Sequence, residues 1–275
     1  MKSNQYQIGS IKINLPDENQ GYFSIFEDLT ELFGKEYQSD AVKVLRAKIK
    51  DSKPKASIDY ESDFTHITTS NVETLLSVIN AIIELTQDKQ EEYLKIDQIA
   101  LKDLFERAKR NRPKPKEWKT GDVFSIPLAD NMFSFGQVLN KRYCTCVLFN
   151  FKSNEPDLSK SDFLKLQPLS ILHLSNGNLL NNGRWKIIFN EQAKLDANAG
   201  YGGRAGTIGS ISYGGCGVMA DLANAYWGFQ PWNVMYEEDY YDKLLLQGVI
   251  KPTTVLILNQ SERLKYRREK FGINK

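Results

Sequence analysis

The residues able to do covalent or metal chemistry are few in this chain, and their spacing argues against most of it. Cys144 and Cys146 stand two apart in the run RYCTCVLFNF. On a strand that spacing turns both thiols to one face. A metal or redox pair would need further ligands or a two-residue gap, so two small core side chains is the favoured reading. Cys216 follows Gly214-Gly215 and precedes Gly217, which leaves its thiol approachable. A nucleophilic thiolate needs a base, and the only histidines are His66 and His173. Neither has a carboxylate at helical metal spacing. No catalytic residue, metal ligand or cofactor is therefore assigned.

Eight of the eighteen glycines fall within residues 200–217, GYGGRAGTIGSISYGGCG. The pattern Gly203-x-x-Gly206-x-x-Gly209 lacks the Lys-Ser/Thr of a phosphate loop, and its spacing is not that of a dinucleotide site. The serines of residues 209–214 do not fit a nucleophile elbow. The segment reads as a loop, with Arg204 as a candidate contact for an anion or carboxylate.

The densest constellation is aromatic and acidic. Residues 227–242 read WGFQPWNVMYEEDYYD. Large amphipathic rings beside charge are what protein interfaces use as anchors, and carboxylates suit a basic partner. The candidate interface is Trp227, Trp232, Tyr236 and Tyr240 with Glu237, Glu238, Asp239 and Asp242, together with Arg204. The competing reading keeps the rings inside. It makes Asn233 an N-cap and places Glu237–Asp239 in the first turn of a helix, facing its positive end.

The elements that must position these residues are legible from periodicity. One strand is expected over 5–15. An apolar stripe from Tyr22 to Phe33 predicts a helix closed by Gly34. A second helix starts near Ser39, and Pro54 bars its continuation. Residues 56–69 predict one strand or a bent pair. Ser70 and Glu73 form a capping-box signature for a helix carrying Val72, Leu75, Leu76, Ile79, Ile82 and Ile83. Another helix spans 97–110. Beyond it, strands are expected at 122–128, 133–139, 142–151, 184–189 and 253–258. Residues 164–174 are a strand or a short helix. The end of a helix closed by Gly248 is expected at 242–247, and a basic helix at 263–270.

Residues 107–119, RAKRNRPKPKEWK, read as a solvated linker rather than a nucleic-acid patch, because aromatic interleaving is missing. The expected division is an N-terminal helix-rich α+β domain over 1–112 and an α+β domain over 113–275. The second is built on a twisted, largely antiparallel sheet with packed helices, closure into a barrel being one alternative. A formal charge of +2, from 36 basic and 34 acidic residues, demands neither nucleic acid nor an anionic membrane. The N-terminus has no apolar signal core, and no apolar run is long enough to span a bilayer. An odd, small number of cysteines suits a reducing cytoplasm.

Trp118-x-x-Gly121-Asp122-Val123-Phe124-x-Ile126-Pro127-Leu128, followed by Phe135-Gly136-Gln137-Val138-Leu139, resembles the start of the immunity protein 26 family of bacterial polymorphic toxin systems. The close of the chain is similar too: Tyr241 through Leu244-Leu245 to Gly248, then Pro252, Arg267-Arg268 and Phe271-Gly272-Ile273. The resemblance spans roughly residues 115–275 and implies a cytoplasmic protein that binds a cognate secreted toxin and blocks it sterically, without catalysis. The implied partner is a toxin domain, basic and nuclease-like or another enzyme. Members are also labelled as related to a phosphotriesterase, which implies a phosphoester hydrolase as the alternative. In this family setting Asp122 reads as the holder of a turn rather than a chemical group.

Overall fold

The computed structural model describes residues 4–86, 97–196 and 214–272. The chain divides into two compact units, Met1–Pro115 and Lys116–Lys275. Both are α+β.

In the first unit, Gly9 adopts a left-handed φ of 55° and, with Ser10, breaks the first alternating run into a hairpin. Strands β1 (Gln5–Ile8) and β2 (Ile11–Asn14) pair antiparallel with Ile8 opposite Ile11. The single strand expected over 5–15 is thus two. The helix expected from Tyr22 is also corrected: β3 (Phe23–Glu27) comes first, and only then a short helix α1 (Leu29–Phe33). Aromatic residues at 22, 23 and 26 suit either period, and Asp28 decides the boundary. Its backbone is extended, and its carboxylate accepts from the N–H groups of Thr30 and Glu31. Gly34 closes α1 in a left-handed conformation, as expected.

Helix α2 (Gln38–Lys48) and strands β4 (Ser57–Tyr60) and β5 (Thr65–Thr69) follow. Helix α3 (Val72–Leu85) is capped by Asn71 instead of Ser70, with Asn71 Oδ1 accepting from Thr74 N at 2.9 Å. Helix α4 (Gln98–Arg110) starts at its cap Asp97. The sheet order is β1-β2-β3-β5-β4, every pair antiparallel. One core joins the sheet residues Ile11, Ile13, Phe23 and Ile25 to Leu45, Ile79 and Phe105 of the helices. A polar chain crosses its edge. Gln38 Nε2 donates to Asp28 Oδ1 at 2.6 Å, and Thr65 Oγ1 donates to Gln38 Oε1 at 2.8 Å.

In the second unit, β6 (Asp122–Pro127) and β7 (Phe133–Asn140) form the expected hairpin through a turn at Ala129–Asn131. Strands β8 (Thr145–Ser153), β9 (Pro168–His173) and β10 (Lys186–Asn190) complete an antiparallel sheet of order β10-β6-β7-β8-β9. Its end strands β10 and β9 do not pair with each other, so the sheet is open and the barrel alternative falls.

Both faces are covered, which explains the continuous apolar run of β8. On one face Phe124, Cys146, Leu148 and Trp185 meet Met219, Leu222, Trp232 and Tyr241. On the other, Val123, Phe135, Val147 and Phe149 meet Phe163 and Leu166. Cys144 and Cys146 are both buried in the first of these cores, as their spacing predicts. Gly136 has no room for a side chain, since a Cβ there would lie 2.6 Å from the Phe124 ring. Phe124 in turn stacks on Trp185, centroids 5.1 Å apart.

The helices of this unit are α5 (Lys160–Phe163), α6 (Asn178–Asn181), α7 (Val218–Tyr226), α8 (Tyr240–Leu244) and α9 (Gln260–Phe271). Trp118 donates to Asn181 Oδ1 at 2.8 Å, fixing the chain that leads into β6. Asp122 accepts from Lys119 N at 2.7 Å and from Asn190 Nδ2 at 2.8 Å, the turn-holding role expected of it. The strand expected over 253–258 is irregular backbone. Pro252 removes a donor there, and the segment bonds instead to residues 232 and 233.

Candidate functional site

Residues 227–239 connect α7 to α8 and are held by side chains and by a long-range backbone bond. Trp232 is 1% exposed. Its N–H donates to Leu256 O at 2.7 Å, its indole Nε1 donates to Asp242 Oδ2 at 2.9 Å, and its ring meets Tyr241 edge-on at 5.5 Å. Trp232 is therefore an interior anchor and offers no contact surface. Asn233 is not a helix cap, correcting that expectation. Its amide clamps the main chain of Leu258, donating to Leu258 O at 2.8 Å and accepting from Leu258 N at 2.9 Å. Helix α8 starts only at Tyr240, so Glu237–Asp239 precede it rather than forming its first turn.

Trp227 is half-buried at the end of α7, edge-on to Tyr226, with Lys152 Nζ 5.0 Å from its ring centre. Tyr240 is half-buried against Tyr241. Burial raises the phenol pKa of both tyrosines. Tyr236 alone among the candidate rings stands out, at 83% exposed.

The four carboxylates are all engaged within the chain. Lys243 Nζ lies 2.6 Å from Glu237 and 2.9 Å from Asp239. Its hydrogen bond holds the Asp239 carboxyl below the ordinary carboxylate value. Arg263 reaches Glu238 at 3.1 Å and donates from Nη2 to the carbonyls of Met235 and Tyr236. Lys251 pairs with Asp242 at 3.0 Å. The carboxylates of residues 237–242 are thus both solvent-facing and ion-paired, four acids sharing three cations. Sequence reading missed the cations Lys243, Lys251 and Arg263. Only Asp239 and Lys243, four apart, had a spacing that could have revealed a pair.

Arg204 and the Gly203–Gly209 pattern lie outside the described residues. The Cys216 segment does come beside His173: Gly214 N donates to His173 O at 2.8 Å. The ring of His173 is buried, and its Nδ1 lies 2.7 Å from Thr145 Oγ1. Among the described residues, no group of three or more His, Cys, Asp or Glu is placed to hold a metal ion.

Residues 119–202 match the family model described as Immunity protein 26. The matched segment contains all five strands of the second sheet, so the sheet carries the resemblance. Helices α7, α8 and α9 lie beyond it. No curated protein and no solved structure matches the chain.

Proposed function

We propose that this chain is an immunity protein that binds the toxin domain of a bacterial polymorphic toxin system and blocks it sterically, without turnover. The Immunity protein 26 match over the second sheet is the observation that carries this reading. An immunity protein works by occupying its partner, so it needs a rigid scaffold and a presented surface. The two-faced core of the second unit supplies the first. Tyr236, held out by bonds from Arg263 to its own and the preceding carbonyl, belongs to the second. We place its action in the cytoplasm, where a producing cell would meet a sibling's toxin. No helix among the described residues is long and apolar enough to cross a membrane.

The test screens the domains encoded beside the gene for this chain for one that arrests growth. Induced alone in a sensitive strain, that domain should stop growth; co-expression of this chain should restore it. The two purified proteins should elute together from a sizing column. Growth arrest that persists despite full soluble expression of this chain would sink the proposal.

A further inference from the structure

Beside the acidic row, helix α9 carries the cations Lys265, Arg267, Arg268 and Lys270, which make no ion pair among the described residues, though the field of Lys270 reaches Asp221. At 3.6 residues per turn, positions 264, 267, 268 and 271 fall within an arc of about 100°. Leu264 and Phe271 are 42% and 48% exposed on that arc. The helix's two acids, Glu262 and Glu269, fall on the opposite side, and Glu262 is already used in the capping box with Asn259.

Arg267 is the least comfortable residue of the group. It is 6% exposed, yet its Nε has no hydrogen-bond acceptor among the described residues. The contact its guanidinium does make is with the Tyr236 ring, 5.8 Å from the ring centre. Burying a guanidinium N–H without an acceptor is costly, and a carboxylate satisfies it best through paired hydrogen bonds. Arginine and tyrosine are residue types enriched in interface hot spots, and Leu264 and Phe271 add exposed apolar area on the same helix arc.

We propose that this face of α9, with Tyr236, is the docking surface for the toxin domain, and that the docking side of the toxin is acidic. A toxin carboxylate is received by Arg267 beside Tyr236, Arg268 adds attraction, and apolar toxin side chains cover Leu264 and Phe271. This rests on the immunity reading above. It departs from the basic partner expected from the carboxylates of residues 237–242: those four carboxylates share the three cations Lys243, Lys251 and Arg263, whereas Arg267 and Arg268 pair with no carboxylate among the described residues.

The test measures binding of the full-length chain to the purified toxin domain encoded beside its gene, by titration calorimetry. Phe271→Glu and Arg267→Met should each weaken affinity by about thirtyfold or more, the scale of hot-spot residues. Glu237→Lys, on the paired acidic row, should change it less than about threefold. Arg267→Met should keep or raise the melting temperature, a result that a merely structural arginine would not give. Carbodiimide coupling of the wild-type complex should join Lys265 or Lys270 to a toxin Asp or Glu.

Wild-type affinity in both Phe271→Glu and Arg267→Met would overturn the docking surface while leaving the immunity reading intact. Coupling confined to other lysines would do the same. A wild-type chain that does not bind the toxin domain at all would overturn the immunity reading, and this surface with it. Two further probes address other occupants: vesicles of phosphatidylglycerol and a short DNA duplex. Binding to either, or self-association, that Phe271→Glu and Arg267→Met abolish while toxin affinity stays would overturn the assignment to a protein partner.

Discussion

Two groups of polar side chains, one in each unit, lie at the edge of a core and are held differently. In the first unit, Asp28, Gln38 and Thr65 form a closed chain. The Asp28 carboxylate takes bonds from Thr30, Glu31 and Gln38, and the Gln38 carbonyl takes one from Thr65. In the second, Arg263 and Arg267 sit one helical turn apart, each with its Nε left without an acceptor. Arg263 is otherwise tied to Met235, Tyr236 and Glu238, whereas the Arg267 guanidinium meets a ring and no hydrogen-bond acceptor among the described residues. A closed polar network positions its own elements and is complete when the chain has folded. An open one carries unspent hydrogen-bonding capacity, which a second molecule can use. The closed group thus reads as scaffold and the open one as recognition.

The comparison breaks first at Asp28. Asp28→Ala removes the cap of α1 and an acceptor of the buried Gln38 amide. It should lower the stability of the first unit by about 2–3 kcal/mol, measured by urea unfolding followed through hydrogen exchange of that unit's amides. A cost near zero would mean the network is decorative. Next comes Arg263→Met, which strips the carbonyls of Met235 and Tyr236 of their donor. It should cost about 1.5 kcal/mol of second-unit stability in the same experiment, and Tyr236 should lose its fixed position.

Acid should separate the units more gently. Burial works against the Asp28 anion, but hydrogen bonds from Thr30, Glu31 and Gln38 outweigh it and lower its pKa. Its contribution is then fully present above the ordinary carboxylate pKa, and it is lost as pH falls through the lowered value. First-unit stability should therefore decline below about pH 4, and Asp28→Ala should flatten that limb of the pH titration. The smallest effect is expected at Arg267→Met, where stability should change by less than about 0.5 kcal/mol or rise. A loss of several kcal/mol in a thermal melt would place Arg267 with the scaffold and erase the contrast.

What could be read in advance follows from how local each signal is. Helix α3, the β6–β7 hairpin and the buried strand β8 were legible because their apolar patterns are long and agree with their flanking turns. Tyr22 to Phe33 was not, because its aromatics satisfy both periods and one capping aspartate, Asp28, decides between them. The Gly9-Ser10 turn was hidden inside an otherwise smooth alternation. The candidate site fared worse. Asn233 has the residue type of a cap but clamps Leu258, and Glu238 is paired by Arg263; both partners are 25 positions away. No local pattern encodes such contacts. The exposed ring of Tyr236 and the buried one of Trp232 look alike in the sequence and differ only in what the fold lays over them.

The placement of the indoles gives the molecule a built-in optical division. All four tryptophans, at 118, 185, 227 and 232, belong to the second unit, and the first has none. Selectively excited tryptophan emission is therefore blind to the first unit, while far-ultraviolet dichroism registers both. If the units melt independently, the two signals part company along a temperature ramp. Trp185, stacked on Phe124 above the side-chain-free Gly136, then reports loosening of the second core without any label being attached.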